Sequence, residues 1–366
     1  MERTETTVKT TAETTAAPLV SVIVRSMARA TLPESLASIA AQDYPNVEVV
    51  LVAATGSGHP PPADLAGPHP IHFVASGQPL ARAAAANAGL DAARGDWITF
   101  LDDDDVFLPG HISGLVAATR HASNPRIVHS LARARFADGY QQPFGHPFSL
   151  VELYERSFIH LSTALVSRAL LANGCRFDES LLVHEDWDFF LQCAQRGNFH
   201  FVPQQTFEWH ADLGTSGAGG GANQDDARFA IYRDRVYQKW GAQRDALVDR
   251  VDPILRDAAA KAANGEYEVA QARAREVLDM STNDPWALNL IAMIQRSAGR
   301  LEDADRTQSL AVAVRPEEAS FVYNLGLISR ARGDIARARN CAQRALSIAP
   351  EYAPARKLLA ELAVAR

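Results

Sequence analysis

The chain has 366 residues, with 36 Lys and Arg against 43 Asp and Glu, for a formal net charge of -7. That length supports about two domains, each large enough for its own core. Apolar and charged fractions of 47% and 22% exclude a disordered or fibrous chain; the acidic balance argues against a nucleic-acid binder, and no apolar run is long enough for a membrane span.

Residues 1–17 (MERTETTVKTTAETTAA) are rich in Thr and Ala and lack the apolar stretch of a secretory signal, so they read as a disordered tail. Cys175, Cys193 and Cys341 are odd in number and lack a C-x-x-C, which fits neither a disulfide framework nor a zinc site. The expected compartment is the cytoplasm. Continuous apolar runs at Leu19–Val24, Val47–Val52, Ile71–Val74 and Trp97–Leu101 predict buried parallel strands. Helix-like segments at Leu32–Gln42 and Pro79–Arg94 lie between them, giving an α/β alternation.

The fourth run ends in FLDDDD, Phe100–Asp105. Ligand sites in open α/β sheets lie beyond the carboxyl ends of strands, which is where these carboxylates stand. Four adjacent carboxylates repel unless a cation or a basic partner neutralises them, and Mg²⁺ or Mn²⁺ takes oxygen ligands and bridges phosphates. Taken alone, the run reads equally well as a solvated acidic turn.

Residues 120–184 are mixed in pattern. An amphipathic helix follows at Glu185–Arg196, then two short strand candidates, Phe199–Pro203 and Thr206–His210. GTSGAGGG at Gly214–Gly221 reads as a flexible segment that serves as a lid or a linker, and Gln224–Trp240 as a charged helix. Gly265, Gly299 and Gly333 then recur every 34 residues, followed in phase by Ala270, Ala304 and Ala338 and by Leu278, Val312 and Leu346; Pro316 and Pro350 close the second and third units. Glycine ends one helix, alanine admits the next, and proline stops it. This 34-residue period resembles the tetratricopeptide repeat, covering about residues 254–350 with a capping helix over 352–365.

The text LARAAAANAGLDAARGDWITFLDDDDVFLPG, with Arg82, Asn87, Gly89, Gly95, Asp96 and Pro109 in matching places, resembles the family-2 glycosyltransferases of the GT-A fold. HEDWDFFLQCAQRG at 184–197 and TFEWH at 206–210 resemble two later segments of that family, in its order. The resemblance implies a GT-A (Rossmann-like) α/β domain over 18–243 that binds a nucleotide sugar, followed by an all-α tetratricopeptide domain over 250–366. It implies that Asp102 holds the ribose side of the nucleotide, that Asp104 with Asp105 binds the metal, Mn²⁺ or Mg²⁺, and that His210 is a further metal ligand. Asp186 is implied as the general base, with Glu185 orienting it or touching the acceptor. Arg82 and Asn87 are implied beside the nucleotide; Asp103 fills the variable middle position of the acidic motif, as a spacer or as part of the nucleotide-sugar site. On residue type alone, Glu185 and Asp186 also fit a plain complement to a helix dipole, and His210 an ordinary histidine.

Two departures matter. Arg25-Ser26-Met27-Ala28 replaces the family's P-T-Y-N, and Ala53-Ala54-Thr55-Gly56-Ser57 replaces the D-D-G-S whose aspartate reads the base. Thr55, Ser57 or backbone carbonyls are then the candidates to meet the base, and Arg25 faces the nucleotide or pairs with the acidic cluster. The resemblance implies a metal-dependent, inverting transfer from a nucleoside-diphosphate sugar, a UDP-sugar foremost, to a hydroxyl. The acceptor is a protein held in the repeat groove, as the cluster Arg330, Arg332, Arg337, Arg339 and Arg344 faintly favours, or a glycan or lipid-linked saccharide. A non-catalytic scaffold with a degenerate transferase domain, and self-association through the repeats, are the other readings.

Overall fold

The computed structural model describes residues 17–60, 67–211 and 225–364. The expected tail, except for its last residue, and the Gly214–Gly221 segment lie outside the described residues. Four parallel strands, β1 (Val20–Ser26), β2 (Val47–Ala53), β3 (Ile71–Val74) and β4 (Trp97–Asp102), run in the order β3-β2-β1-β4. Every residue of β1 and β2 is buried. Their alternate side chains enter two different cores, one holding Val20, Val22 and Val24 and the other holding Ile23, Val50 and Val52. A strand covered on both faces has no use for polar alternation, and this is why these segments read as unbroken apolar runs.

Helices α1 (Leu32–Ala40) and α2 (Arg82–Ala92) supply the crossovers. Helix α2 lies against β1 so closely that a Cβ on Gly89 would stand 2.3 Å from Ile23 Cγ2. At its far end, Gly95 N–H donates to Ser21 Oγ (2.8 Å), and Ser21 Oγ donates in turn to Glu48 Oε1 (2.6 Å). Both glycines of the motif are thus explained by close packing rather than by a ligand.

The stretch whose pattern is mixed contributes β6 (Ile127–Arg135), β7 (Gln141–Phe144) and β8 (Ala164–Ser167). Strand β8 pairs antiparallel with both β4 and β6 and so extends the sheet past β4. The two expected strands at the end of the domain are a single strand, β9 (Phe199–His210), paired parallel to β6 with an irregularity that passes over Pro203 and Gln204. Proline cannot donate to the ladder, so a bulge carries the strand across it. The two-residue β5 (Val106–Phe107) pairs with the end of β9, Val106 opposite Glu208. That pairing draws His210 to the acidic turn.

The domain boundary departs from expectation. Instead of ending near 243 and resuming near 250, the chain forms one 38-residue helix, α7 (Asp226–Ala263), with Pro253 inside it. Val236, Trp240, Leu247 and Val251 of α7 belong to the core of the α/β domain, while its last turns pair with α8 (Tyr267–Met280). Helices α9 (Pro285–Ser297), α10 (Leu301–Val314), α11 (Ala319–Ala331), α12 (Ile335–Ile348) and α13 (Ala353–Val364) complete the stack. Gly265, Gly299 and Gly333 sit at φ of 82°, 75° and 83° between paired helices, and the residue after each donates its N–H five residues back, closing the helix C-terminus. Ala270, Ala304 and Ala338 are fully buried, as the repeat requires.

The repeats dock through a buried carboxylate. Glu152 on α4 (Leu150–Glu155) is 1% exposed and meets Arg156 at 2.8 Å and Arg315 of the repeats at 2.9 Å. Asn283 Nδ2 donates to the Phe148 carbonyl (2.8 Å) beside it. The arginines of the third repeat are engaged internally: Arg332 and Arg337 pair with Asp305, Arg330 pairs with Glu361, and Arg339 and Arg344 donate to the carbonyls of Leu362 and Pro316.

A Cβ on Gly95 would stand 2.7 Å from the Ser21 backbone nitrogen and 2.8 Å from the Leu19 carbonyl, where no flexible group can yield. Gly95→Ala is therefore expected to lower stability by about 1–3 kcal/mol, measured as a shift in the denaturant midpoint at unchanged slope.

Candidate active site

Strand β4 ends at Asp102 and the chain turns at once, the Asp105 N–H donating to the Asp102 carbonyl at 3.2 Å. The turn sorts the four carboxylates into two sets. Asp102, Asp104 and Asp105 each offer an oxygen within 4.8 Å of the others. Asp103 points the opposite way and is fully buried. It accepts hydrogen bonds from Ser26 Oγ (3.0 Å), Met27 N–H (2.7 Å) and Arg29 N–H (3.2 Å), and pairs with the Arg29 guanidinium. Of the two readings given to Asp103, the structural one describes its position: it fastens the loop after β1 and does not face the cavity.

The converging three are unequal. Burial alone would raise Asp102, but Arg25 beside it brings it down to about 2. Asp104 is raised by burial and by Asp102, and Asp105 is pushed well above the usual carboxylate range by burial and by Asp104 and Asp102. Two carboxyls held up by burial and then by their neighbours at the mouth of a strand could hold a hard divalent cation, whose charge would relieve both, since such ions take all-oxygen donor sets. His210 lies outside this set of three. Its Nδ1–H donates to the Asp104 carbonyl at 2.5 Å and its backbone N–H donates to Asp105 Oδ1 at 3.1 Å. The hydrogen bond at Nδ1 leaves Nε2 as the nitrogen with a lone pair.

Across the cavity, α6 (Glu185–Ala194) opens on His184, which has a left-handed φ of 63°. Glu185 and Asp186 form its first turn, and both line the same cavity of about 630 Å³ as the three aspartates. Burial and the Glu185 charge push Asp186 up to about 6. Trp187 is 1% exposed and donates its indole N–H to the Leu153 carbonyl, so it serves the core and does not floor the cavity. Buried Asp188 accepts from Trp240 Nε1 (2.8 Å) and pairs with Lys239 (2.9 Å), bolting α6 to α7.

Arg25 completes the site. Its Nε and one terminal nitrogen hold the two oxygens of Asp102 at 2.7 and 2.9 Å, and the other terminal nitrogen reaches Glu185 Oε1 at 3.2 Å. Arg82 lies 3.8 Å from Asp102 on the cavity wall. Two expected residues are elsewhere. The Asn87 amide is spent on the backbone of Phe177 and on Glu179, clipping a distant loop, and Thr55 does not reach the cavity. Several wall residues carry no signal in the sequence: Arg29 reaches Asp104 at 3.6 Å, and His160, Arg228 and Phe229 line the cavity, beside Trp209 of the TFEWH segment. His160 accepts the Ser162 N–H at Nδ1, and burial lowers its pKa to about 4, so it presents a neutral ring with the proton on Nε2.

Residues 21–144 match the family model for glycosyl transferase family 2. The chain is similar to YwdF of Bacillus subtilis, described as an uncharacterized glycosyltransferase, with 29% identity over 57% of this chain and 79% of the relative. It is also similar to the succinoglycan biosynthesis protein ExoO of Rhizobium meliloti, with 27% identity over 43% of this chain and 50% of the relative. Among solved structures, S. aureus TarS in complex with UDP-GlcNAc aligns over 92% of this chain and 93% of its own, with a TM-score of 0.45 and 15% identity. The family 2 match over residues 21–144 and the glycosyltransferases that the chain resembles support a glycosyltransferase, and the α/β domain continues into a tetratricopeptide-like helical stack.

Proposed function

We propose that the protein transfers a sugar from a nucleoside-diphosphate donor, a UDP-sugar in the first instance, to a saccharide hydroxyl, with inversion and with the help of Mn²⁺ or Mg²⁺. The observation that carries this reading is one cavity with a cation-seeking aspartate triad at one end and a carboxylate of raised pKa, Asp186, at the other. When bound by Asp102, Asp104 and Asp105, the divalent ion supplies positive charge for the departing diphosphate. The chain's own groups do the rest. Asp186 accepts the proton of the acceptor hydroxyl as its oxygen forms a bond to the anomeric carbon and the bond to the diphosphate breaks. A pKa near 6 suits that task at neutral pH, ionised yet still basic. Arg82 adds charge beside the leaving group, and the neutral His160 ring offers a hydrogen bond without competing for the cation. A single base on the acceptor side favours direct displacement, since among the described residues the neighbouring cavity carboxylate, Glu185, is engaged by Arg25.

Protein and saccharide acceptors differ in what the repeats would have to do. Within the stack, Asn324 Nδ2 and Gln308 Nε2 both donate to Asn289 Oδ1 at 2.8 and 3.1 Å, and the third-repeat arginines are engaged internally. Phe144, Trp209 and Phe229 in the cavity wall offer flat apolar faces against which a sugar ring packs. Relatives named for succinoglycan and amylovoran biosynthesis point the same way.

Asp186→Asn is expected to lower kcat by about 10²–10⁴-fold while Mn²⁺-dependent UDP binding, followed by calorimetry, stays close to wild type. In the native enzyme Asp186 is protonated below about pH 6 and ionised above it, so kcat should rise through that value and level off by neutrality. Lost UDP affinity in the variant, or a flat profile, would argue against the base. Treatment with a chelator is expected to abolish turnover and added Mn²⁺ or Mg²⁺ to restore it. Asp105→Asn should weaken Mn²⁺ binding by about tenfold or more, measured by calorimetry in the presence of UDP.

A further inference from the structure

One side chain touches both ends of the cavity. Arg25 stands near the end of β1, directly opposite Asp102 in the β1–β4 register. Its guanidinium forks onto both oxygens of Asp102 and extends its remaining terminal nitrogen to Glu185. The three side chains are 9%, 16% and 3% exposed, so none is well solvated and each depends on the others for compensation. Among the described residues Glu185 has no other hydrogen-bond or ion-pair partner. The same first turn of α6 is also held to α7, by Asp188 on Lys239 and Trp240. The first turn, which enters from the left-handed His184, is held to the sheet by Arg25.

We infer that Arg25 is a positioning residue for the transfer. It fixes the donor-side carboxylate Asp102 and the first turn of α6 in one rigid frame, and so sets where the base Asp186 stands relative to the donor's anomeric carbon. A guanidinium can do this because its donors are planar and set at fixed angles; a lysine ammonium carries the same charge on a flexible stem and cannot hold two carboxylates at a defined separation. Two of the five guanidinium N–H groups stay uncommitted to these carboxylates. This inference rests on Asp186 being the base, and it assigns Arg25 a role separate from binding the nucleotide.

The test uses the full chain, Mn²⁺, UDP for binding, and as turnover probe whichever UDP-sugar of a common panel the wild type hydrolyses fastest. Arg25→Lys keeps the cation and removes the fork; kcat is expected to fall about 100-fold, as small misplacements of reacting groups do, with UDP affinity and KM within about threefold of wild type. Glu185→Gln, which preserves the shape of α6, is expected to lose about tenfold in kcat, and the double variant to be no worse than Arg25→Lys alone, because the two act as one unit. A kcat for Arg25→Lys within about threefold of wild type, a loss confined to UDP affinity, or single losses that multiply independently in the double variant would each overturn the inference. If Arg25→Lys shows no cooperative thermal transition, Glu185→Gln decides, and full kcat in that variant overturns it. Asp186→Asn is run alongside: retained turnover there defeats the base assignment itself, an outcome distinct from any result at Arg25.

Discussion

The turn after β4 crowds Asp102, Asp104 and Asp105 within 4.8 Å of one another in a place that water reaches poorly, and much of the surrounding structure answers that concentration of like charge. Arg25 neutralises Asp102 from β1, while Arg29 secures Asp103 and approaches Asp104. Even the backbone takes part, through the His210 N–H on Asp105. These groups leave Asp104 and Asp105 still raised, and a bound cation would relieve that residual strain. Buried carboxylates without such relief would take up protons and lose their use as ligands.

Much of this was legible in the residues, and for identifiable reasons. Buried parallel strands leave continuous apolar runs, so β1 to β4 were found close to their observed limits. Glycine at a positive φ and alanine at a buried helix crossing are hard requirements, so the 34-residue period marked the helix pairs. The acidic run and Glu185-Asp186 were visible as chemistry, and the fold brings them to one cavity. What escaped notice depends on contacts between distant segments. Asn87 sits in a family motif, yet its partners, Phe177 and Glu179, lie about 90 residues on, so nothing local distinguishes a loop clip from a ligand. Which of four consecutive aspartates turns inward is decided by the loop after β1. His160 and Arg228 come from regions whose pattern names no chemistry. Strand β9 was read as two because Pro203 looks like an end, and only the bulge opposite β6 shows that the ladder continues.

The α/β domain and the repeats share material rather than merely touching. Trp240 and Val251 of α7 pack into the core of the α/β domain, and Asp188 joins the same helix to α6, the element that carries Asp186. On the other side Glu152 is paired at once with Arg156 of its own domain and Arg315 of the repeats. The position of Asp186 is thereby referred to two frames, the sheet through Arg25 and the helical stack through α7.

The continuity of α7 has a consequence for how the two halves relate. Helix α7 runs for 38 residues through the passage from one domain to the next, with Pro253, which removes one bond of the helical ladder, inside it. Severing it between 243 and 250 would strip Leu247 and Val251 from the core they help to fill and expose raw apolar surface on the catalytic half. The repeats are accordingly joined to the α/β domain by a shared helix and by the Glu152–Arg315 pair, not by a free linker.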